Sequence, residues 1–205
     1  MNLPRDADRL EADPRPLATD CVVLAIEKDL AVLSSPNATE QDRFEALKYL
    51  GHWVGDVHQP LHVSFEDDRG GNEVGVWGGI CSWNLHAVWD RCIIEHGLPG
   101  DPYALAQQLL NDVTDEERAA WQGSSPIDWA NESFATSVSP GVQYCVGSGT
   151  GYWYSADNEH LGRGEPERAV VVDRSYIETH APTVRDRLVK ASVRLGGLLN
   201  QALGD

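Results

Sequence analysis

The sequence predicts an all-α protein, a multi-helix domain with long loops and at most one short hairpin, and three observations carry the prediction. Apolar residues recur at spacings of three and four in two long stretches, 44–61 and 184–198. Strand-like and helical runs do not alternate, which argues against a parallel sheet. The remaining apolar alternation, a few Val residues among glycines after residue 72, is too short for more than a hairpin. At 205 residues and 22.5 kDa the chain has the size of one domain, 1–205. Its 41% hydrophobic content supports a sizeable core.

In chain order, residues 1–16 are polar and rich in Asp, Arg and Pro, a loop leading into a helix from Leu17 to Leu33 that Ser34-Ser35-Pro36-Asn37 breaks. Thr39 offers an N-cap with Asp42 three residues on. Phe44, Leu47, Leu50, Val54, Val57 and Leu61 then predict one long amphipathic helix, kinked by Pro60. The acidic, glycine-containing run 66–72 is a loop, and Trp83 to His96 returns to helical spacing. Residues 102–138 hold two or three short helices divided by Gly123-Ser124-Ser125-Pro126, and 139–170 is a loop region. The last helix follows Pro182, with Val184, Leu188, Ala191, Leu195 and Leu198 facing the core.

Composition narrows function. Sixteen Lys and Arg against 32 Asp and Glu give a net charge of −16, which disfavours a passive nucleic-acid binder that works by phosphate neutralisation. If phosphates are bound, divalent metal ions are the obvious source of positive charge. No apolar run reaches the ~20 residues that a membrane-spanning helix needs, so no membrane partner is expected. The first residues, Met1-Asn2-Leu3-Pro4-Arg5-Asp6, carry no export signal. Cys21, Cys81, Cys92 and Cys145 lack C-x-x-C spacing, which gives no support to a thiolate zinc knuckle, and their even count permits two disulfides.

The chemistry is concentrated in one region, because five of the seven histidines lie between residues 52 and 96. His52 and Asp56 stand one helical turn apart on one face, and His86 and Asp90 repeat the arrangement. His62 is placed near the same face as His52 but about three turns further along, beyond the reach of one ion. Imidazole nitrogen and carboxylate oxygen without sulfur suit catalytic zinc with positions open to water. His58 reads as supporting or structural, and His96, His160 and His180 as isolated surface or capping residues. Trp53, Trp83 and Trp89 occupy core-like helical positions, whereas Trp77, among glycines, is available to stack on a base. Asn37-Ala38-Thr39 and Asn131-Glu132-Ser133 match the glycosylation pattern.

The run His52-Trp53-Val54-Gly55-Asp56-Val57-His58-Gln59-Pro60-Leu61-His62, then Gly70-Gly71-Asn72, then Asn84-Leu85-His86-Ala87-Val88-Trp89-Asp90, resembles the trinuclear-zinc single-strand nucleases, the mung-bean type. The resemblance covers about residues 1–202 and implies a helical fold shared with bacterial zinc phospholipases C. It implies zinc-dependent endonucleolytic hydrolysis of single-stranded DNA or RNA and of 3′-nucleotides, leaving 5′-phosphate ends, with no protein partner evident. In that family residues matching His52 and Asp56 serve the first zinc, Asp56 bridges to the third, and His62, His86 and Asp90 hold the second. Asp56 thereby becomes the catalytic carboxylate, and Asn72 and Trp77 are candidate substrate contacts. Complete relatives are exported, so a secreted or periplasmic location is implied, consistent with cysteines that can pair.

The departure from the family lies upstream. Four further ligands, a Trp, a His, an Asp and a His, have no counterpart before His52, and the chain reads as starting just after the last of them. The expectation is that about one zinc, held by His62, His86 and Asp90, binds tightly and that the chain is a weak nuclease. The alternatives are a phospholipase C of the same superfamily, disfavoured because Asp90 stands where the lipase branch usually has Glu, and a non-catalytic remnant.

Overall fold

The computed structural model describes residues 1–11, 21–81, 83–148, 151–153 and 169–204. Helices dominate, as predicted: α1 (Val22–Ser34), α2 (Glu40–His58), α3 (Leu85–Ala87), α4 (Ile93–Gly97), α5 (Pro102–Asn111), α6 (Asp115–Gln122), α7 (Pro126–Ser137) and α8 (Arg174–Leu203). The strands β1 (Asn2–Leu3), β2 (Ser64–Phe65), β3 (Gly75–Trp77), β4 (Val146–Ser148), β5 (Gly151–Trp153) and β6 (Ala169–Val171) form three two-stranded pairs. β1 pairs β2 and β3 pairs β6, both parallel, while β4 and β5 are antiparallel. Thus the Val-containing segment after residue 72 does not fold back as a hairpin. Its partner lies some ninety residues downstream, a pairing that local patterning cannot reveal.

The α2 N-terminus is capped as its sequence dictates. Asp42 N–H donates to Thr39 Oγ1 at 3.1 Å, and Thr39 N–H donates to Asp42 Oδ2 at 3.1 Å. The buried stripe is Ala46, Leu50, Val54 and Val57, whereas Phe44 and Leu47 fall off that stripe and are exposed, against expectation. The core continues through Leu61, Phe65, Leu85, Trp89, Trp129 and Phe134. The expected start of α1 at Leu17, residues 12–16 of the N-terminal loop and His160 lie outside the described residues.

Three further expectations are corrected. α2 does not run on to Leu61: it ends at His58, and Pro60–His62 forms a 3₁₀ turn. Proline disfavours helical backbone at the residue before it, and Gln59 is extended at ψ 118°. α8 does not wait for Pro182 but starts at Arg174, where Asp173 Oδ1 accepts from Tyr176 N–H at 2.9 Å. The cost of an internal proline, about 3 kcal/mol, is offset by burial of Tyr176, Ile177, His180 and Ala181 along the first turns. Leu188, expected in the core, is exposed, and the buried face of α8 instead includes Arg187 and Arg194.

Those arginines bind the last turn of α2 to α7 and α8. Arg194 meets Glu132 through both Nη atoms and donates from Nη1 to His58 Nε2 at 2.8 Å. Arg187 pairs with Glu132 and donates to the carbonyls of His58 and Trp129, each at 3.1 Å. His58 donates from Nδ1 to Val54 O at 2.7 Å, so its structural role is as expected. His180, by contrast, is buried rather than superficial, lying against Trp89 and Tyr176 with Nε2 on Gly141 O at 2.8 Å. Cys81 and Cys92 form a disulfide, while Cys21 and Cys145 are buried thiols. No described helix is long and apolar enough to cross a membrane.

Candidate metal centre

The last turns of α2 present His52 and Asp56, with His52 Nε2 3.3 Å from Asp56 Oδ2. Where the helix stops, the 3₁₀ turn folds His62 back, so that its Nδ1 lies 3.3 Å from Asp56 Oδ1 and its Nε2 3.2 Å from Asp90 Oδ1. His62 thus meets Asp56 and Asp90 rather than His52. A continuous helix would carry position 62 about 15 Å along the axis from position 52, and the break at Gln59 turns the chain toward Asp56 and Asp90 instead. Gln59 secures the break twice, through its side-chain oxygen on Leu61 N–H and its Nε2 donating to Asp90 Oδ1 at 2.6 Å.

The second half of the site comes from the chain after β3. Asn84 Oδ1 accepts from Ala87 N–H at 2.8 Å and starts α3, which presents His86. The helix then widens into a π-helical turn, Val88–Cys92, that carries Asp90 and is locked by the Cys81–Cys92 bond. His86 Nε2 stands 3.6 Å from Asp90 Oδ2, and its ring stacks on that of His62 with centroids 4.8 Å apart. His62, His86 and Asp90 each bring one donor atom within 4.8 Å of the others. His52 and Asp56 adjoin this group through His62, with the His52 side chain more than half exposed at the rim.

Orientation comes from the Gly70-Gly71-Asn72 loop. His86 Nδ1 lies 2.8 Å from Gly70 O, so it carries the proton and leaves Nε2 with its lone pair toward Asp90. The loop is held by Asp68, which accepts from Gly71 N–H at 2.8 Å, Tyr144 OH at 2.6 Å and Arg5 Nη2 at 2.8 Å. Asp68 is fully buried, a role hidden in the sequence because it sits in the acidic run Glu66-Asp67-Asp68. Gln59, Asn84 and Asp68 were all passed over by sequence reasoning. The break signal at Pro60 and the cap signal at Asn84 were available to it.

The electrostatics suit a cation. Burial opposes charge on His62, but hydrogen bonds to Asp56 and Asp90 and the charges of both outweigh it and push it up to about 9. Burial holds His86 low, only partly opposed by the Gly70 carbonyl and Asp90. Burial also works against the Asp90 carboxylate, yet hydrogen bonds from His62 and Gln59 bring it below the ordinary range. The carboxylates that hold a proton on His62 are placed to hold a metal ion instead. Asn72 sits in the adjoining loop with Nδ2 donating to Arg69 O at 2.8 Å. Trp77 is 61% exposed on β3, and Trp83, expected in the core, is 46% exposed.

Comparison with known proteins shows the family. The family described as S1/P1 Nuclease matches residues 2–204. Endonuclease 3 of Arabidopsis thaliana is 29% identical over 157 residues, 77% of this chain and 51% of that protein. Endonuclease 1 of the same plant is 28% identical over 210 residues, covering 94% and 62%. Nuclease S1 of Aspergillus oryzae is 30% identical over 112 residues, covering 54% and 38%. The chain spans about half the length of the curated relatives it matches.

Proposed function

The chain belongs to the S1/P1 nuclease family, and from that membership we propose that it is a zinc-dependent hydrolase of phosphodiester bonds, acting on single-stranded DNA or RNA and on 3′-nucleotides to leave 5′-phosphate ends. The observation that carries the proposal is the convergence of His62, His86 and Asp90, two imidazoles and a carboxylate, on one point. That donor set fits zinc: nitrogen and oxygen ligands without sulfur, one imidazole with its tautomer fixed by a carbonyl, and a carboxylate steadied by an amide. His62, His86 and Asp90 would hold the tightest ion, and His52 and Asp56 would contribute to further metal beside it. When bound, zinc supplies Lewis acidity toward a phosphate oxygen and acidifies water.

The chain's own residues do the rest. Asp56 is the catalytic carboxylate of this reading, because its two oxygens face His52 and His62, and His62 in turn reaches Asp90 in the second half of the site. From that position it accepts a proton from water approaching the phosphorus. His52, at the exposed rim, orients Asp56, while Gln59 and Gly70 keep Asp90 and His86 aimed. We read residues 1–205 as one such domain. An exported location is supported by the Cys81–Cys92 bond, which persists in oxidising compartments.

Metal analysis after dialysis, with digestion of single-stranded DNA, tests the proposal. About one tightly held zinc per chain is expected, with 5′-phosphorylated products and little release from phosphatidylcholine. Loss of that zinc in both His86→Ala and Asp90→Asn is also expected. Faster turnover of the lipid, or zinc retained in both variants, would overturn it.

A further inference from the structure

Two of the three donors that converge at the metal centre, His86 and Asp90, lie inside the loop closed by the Cys81–Cys92 bond, whose ends are 11 residues apart in sequence. The third, His62, reaches the centre from the 3₁₀ turn after α2. One half of the site is therefore cross-linked and the other is not. Inside the loop the backbone takes an unusual course. Ile93 N–H bonds to Val88 O, five residues back instead of four, so Val88–Cys92 carries one residue more than an α-helical turn would. Asp90 stands in the middle of that turn and Cys92 at its end.

Both flanks of the π-helical turn are anchored. Upstream, Asn84 caps α3 and His86 Nδ1 sits on Gly70 O. Downstream, Ile93 is fully buried, and Gly97 packs so closely on α8 that a Cβ there would lie 2.7 Å from Ala181 Cβ. Withdrawing the extra residue to make a regular helix would turn the two flanks relative to each other by about 100°, the angle of one residue in a 3.6-residue turn. With both flanks fixed, the residues free to respond are those between them, Asp90 included. The disulfide holds the end of the turn against residue 81 and keeps it in π register. A second tie across the loop, the Arg91 guanidinium 5.1 Å from the Trp83 ring centroid, lies at the exposed surface and is not covalent.

We propose that the Cys81–Cys92 bond is a redox gate on the metal centre. Oxidised, it holds the turn in the register that brings Asp90 and His86 to His62; reduced, it frees the turn and lowers the affinity for zinc. The inference rests on the zinc-nuclease reading and adds regulation to it, because a chain in a reducing compartment would lack a working centre until it reached an oxidising one. The reductant is a dithiol. Its first thiolate attacks one cysteine sulfur and breaks the S–S bond, giving a mixed disulfide. Its second thiolate displaces that cysteine, so that two electrons and two protons pass to Cys81 and Cys92 and the dithiol leaves as a disulfide. Both cysteines are buried, so attack follows opening of the loop, which draws His86 and Asp90 away from His62. Cys21 and Cys145 are thiols outside this loop and take no part.

The test reads zinc affinity and the reduction midpoint, not activity alone. Zinc affinity of the full chain is measured by competition with a chromophoric chelator, first oxidised, then after reduction with a phosphine and desalting without air. The oxidised chain is expected to bind zinc about 10- to 100-fold more tightly, the usual worth of a group that supports a metal ligand. Cys81→Ser with Cys92→Ser should match the reduced wild type and ignore the phosphine. Because coupling is reciprocal, saturating zinc should make the bond harder to reduce by the same factor, about 30 mV for each tenfold in a two-electron couple. Thiol labelling across a thiol–disulfide redox series, with free zinc buffered, reads that midpoint. This arm uses only wild-type protein, so it decides the matter if the double variant fails to fold. Equal zinc affinity in the two wild-type states, or a midpoint that zinc leaves unchanged, overturns the gate. A chain that shows no coupling yet cuts single-stranded DNA would lose the gate and keep the nuclease reading. A zinc-coupled bond in a chain that never cuts would do the reverse.

Discussion

Gly70 illustrates how one residue holds chemistry in place. At φ 64° it is left-handed, and a Cβ there would meet Leu61 O at 2.3 Å, a backbone atom that cannot swing aside as a flexible side chain would. Its carbonyl fixes the His86 tautomer. Gly70→Ala is therefore expected to displace the loop and weaken zinc binding by ~10- to 100-fold, the usual cost of losing a partner behind a metal ligand. Competition with a chromophoric chelator measures this, and wild-type affinity would show that His86 is oriented by other contacts. The Gly-Gly-Asn pattern was legible in the sequence, but its connection to His86, sixteen residues on, required the fold.

At the scale of elements, two devices lock the helices that carry the ligands. The first is the Glu132 cluster, in which Arg187, Arg194 and His58 are buried and Glu132 is half-buried. Removing Arg194 leaves Glu132, itself half-exposed, with one partner and His58 Nε2 with none of its present donors, so Arg194→Ala is expected to cost roughly 2–3 kcal/mol. Urea unfolding reads this directly, and a loss below about 1 kcal/mol would mean that Arg187 alone satisfies Glu132. The second is the Cys81–Cys92 bond, which closes an eleven-residue separation around α3 and the π-helical turn. Loop-closure entropy predicts that Cys81→Ser with Cys92→Ser lowers stability by about 2–3 kcal/mol. Equal unfolding midpoints under oxidising conditions would show that the cross-link contributes nothing.

For the whole molecule, the buried network sets a pH window. Burial and the neighbouring Arg187 hold His58 down at about 3, against 6.5 when free. As pH falls from about 6.5 toward 3, the unfolded chain takes up a proton that native His58 refuses, so stability is lost progressively through that window and retained above it. Glu132 acts in the same direction at lower pH. Burial raises it, but Arg194 and Arg187 outweigh that and bring it to about 2 from 4.5, so its contribution is lost as pH drops through that range. Denaturant unfolding in EDTA, which excludes metal release, is expected to show several kcal/mol less stability at pH 4 than at pH 7. A flat profile would mean that His58 is hydrated in the native protein.

The sequence by itself determined the helical class, the Thr39 cap, and the placement of His52 with Asp56 and of His86 with Asp90 one turn apart, because periodicity, caps and i to i+4 pairs are local properties of the chain. Only the tertiary structure decided that His62 turns back onto Asp56 and Asp90, that β3 pairs with β6, and that Arg187, Arg194 and His180 are buried rather than solvated. Each of these depends on groups far apart in sequence. A charged side chain looks the same in a sequence whether its partner is water or a carboxylate delivered by another helix, and packing makes that choice.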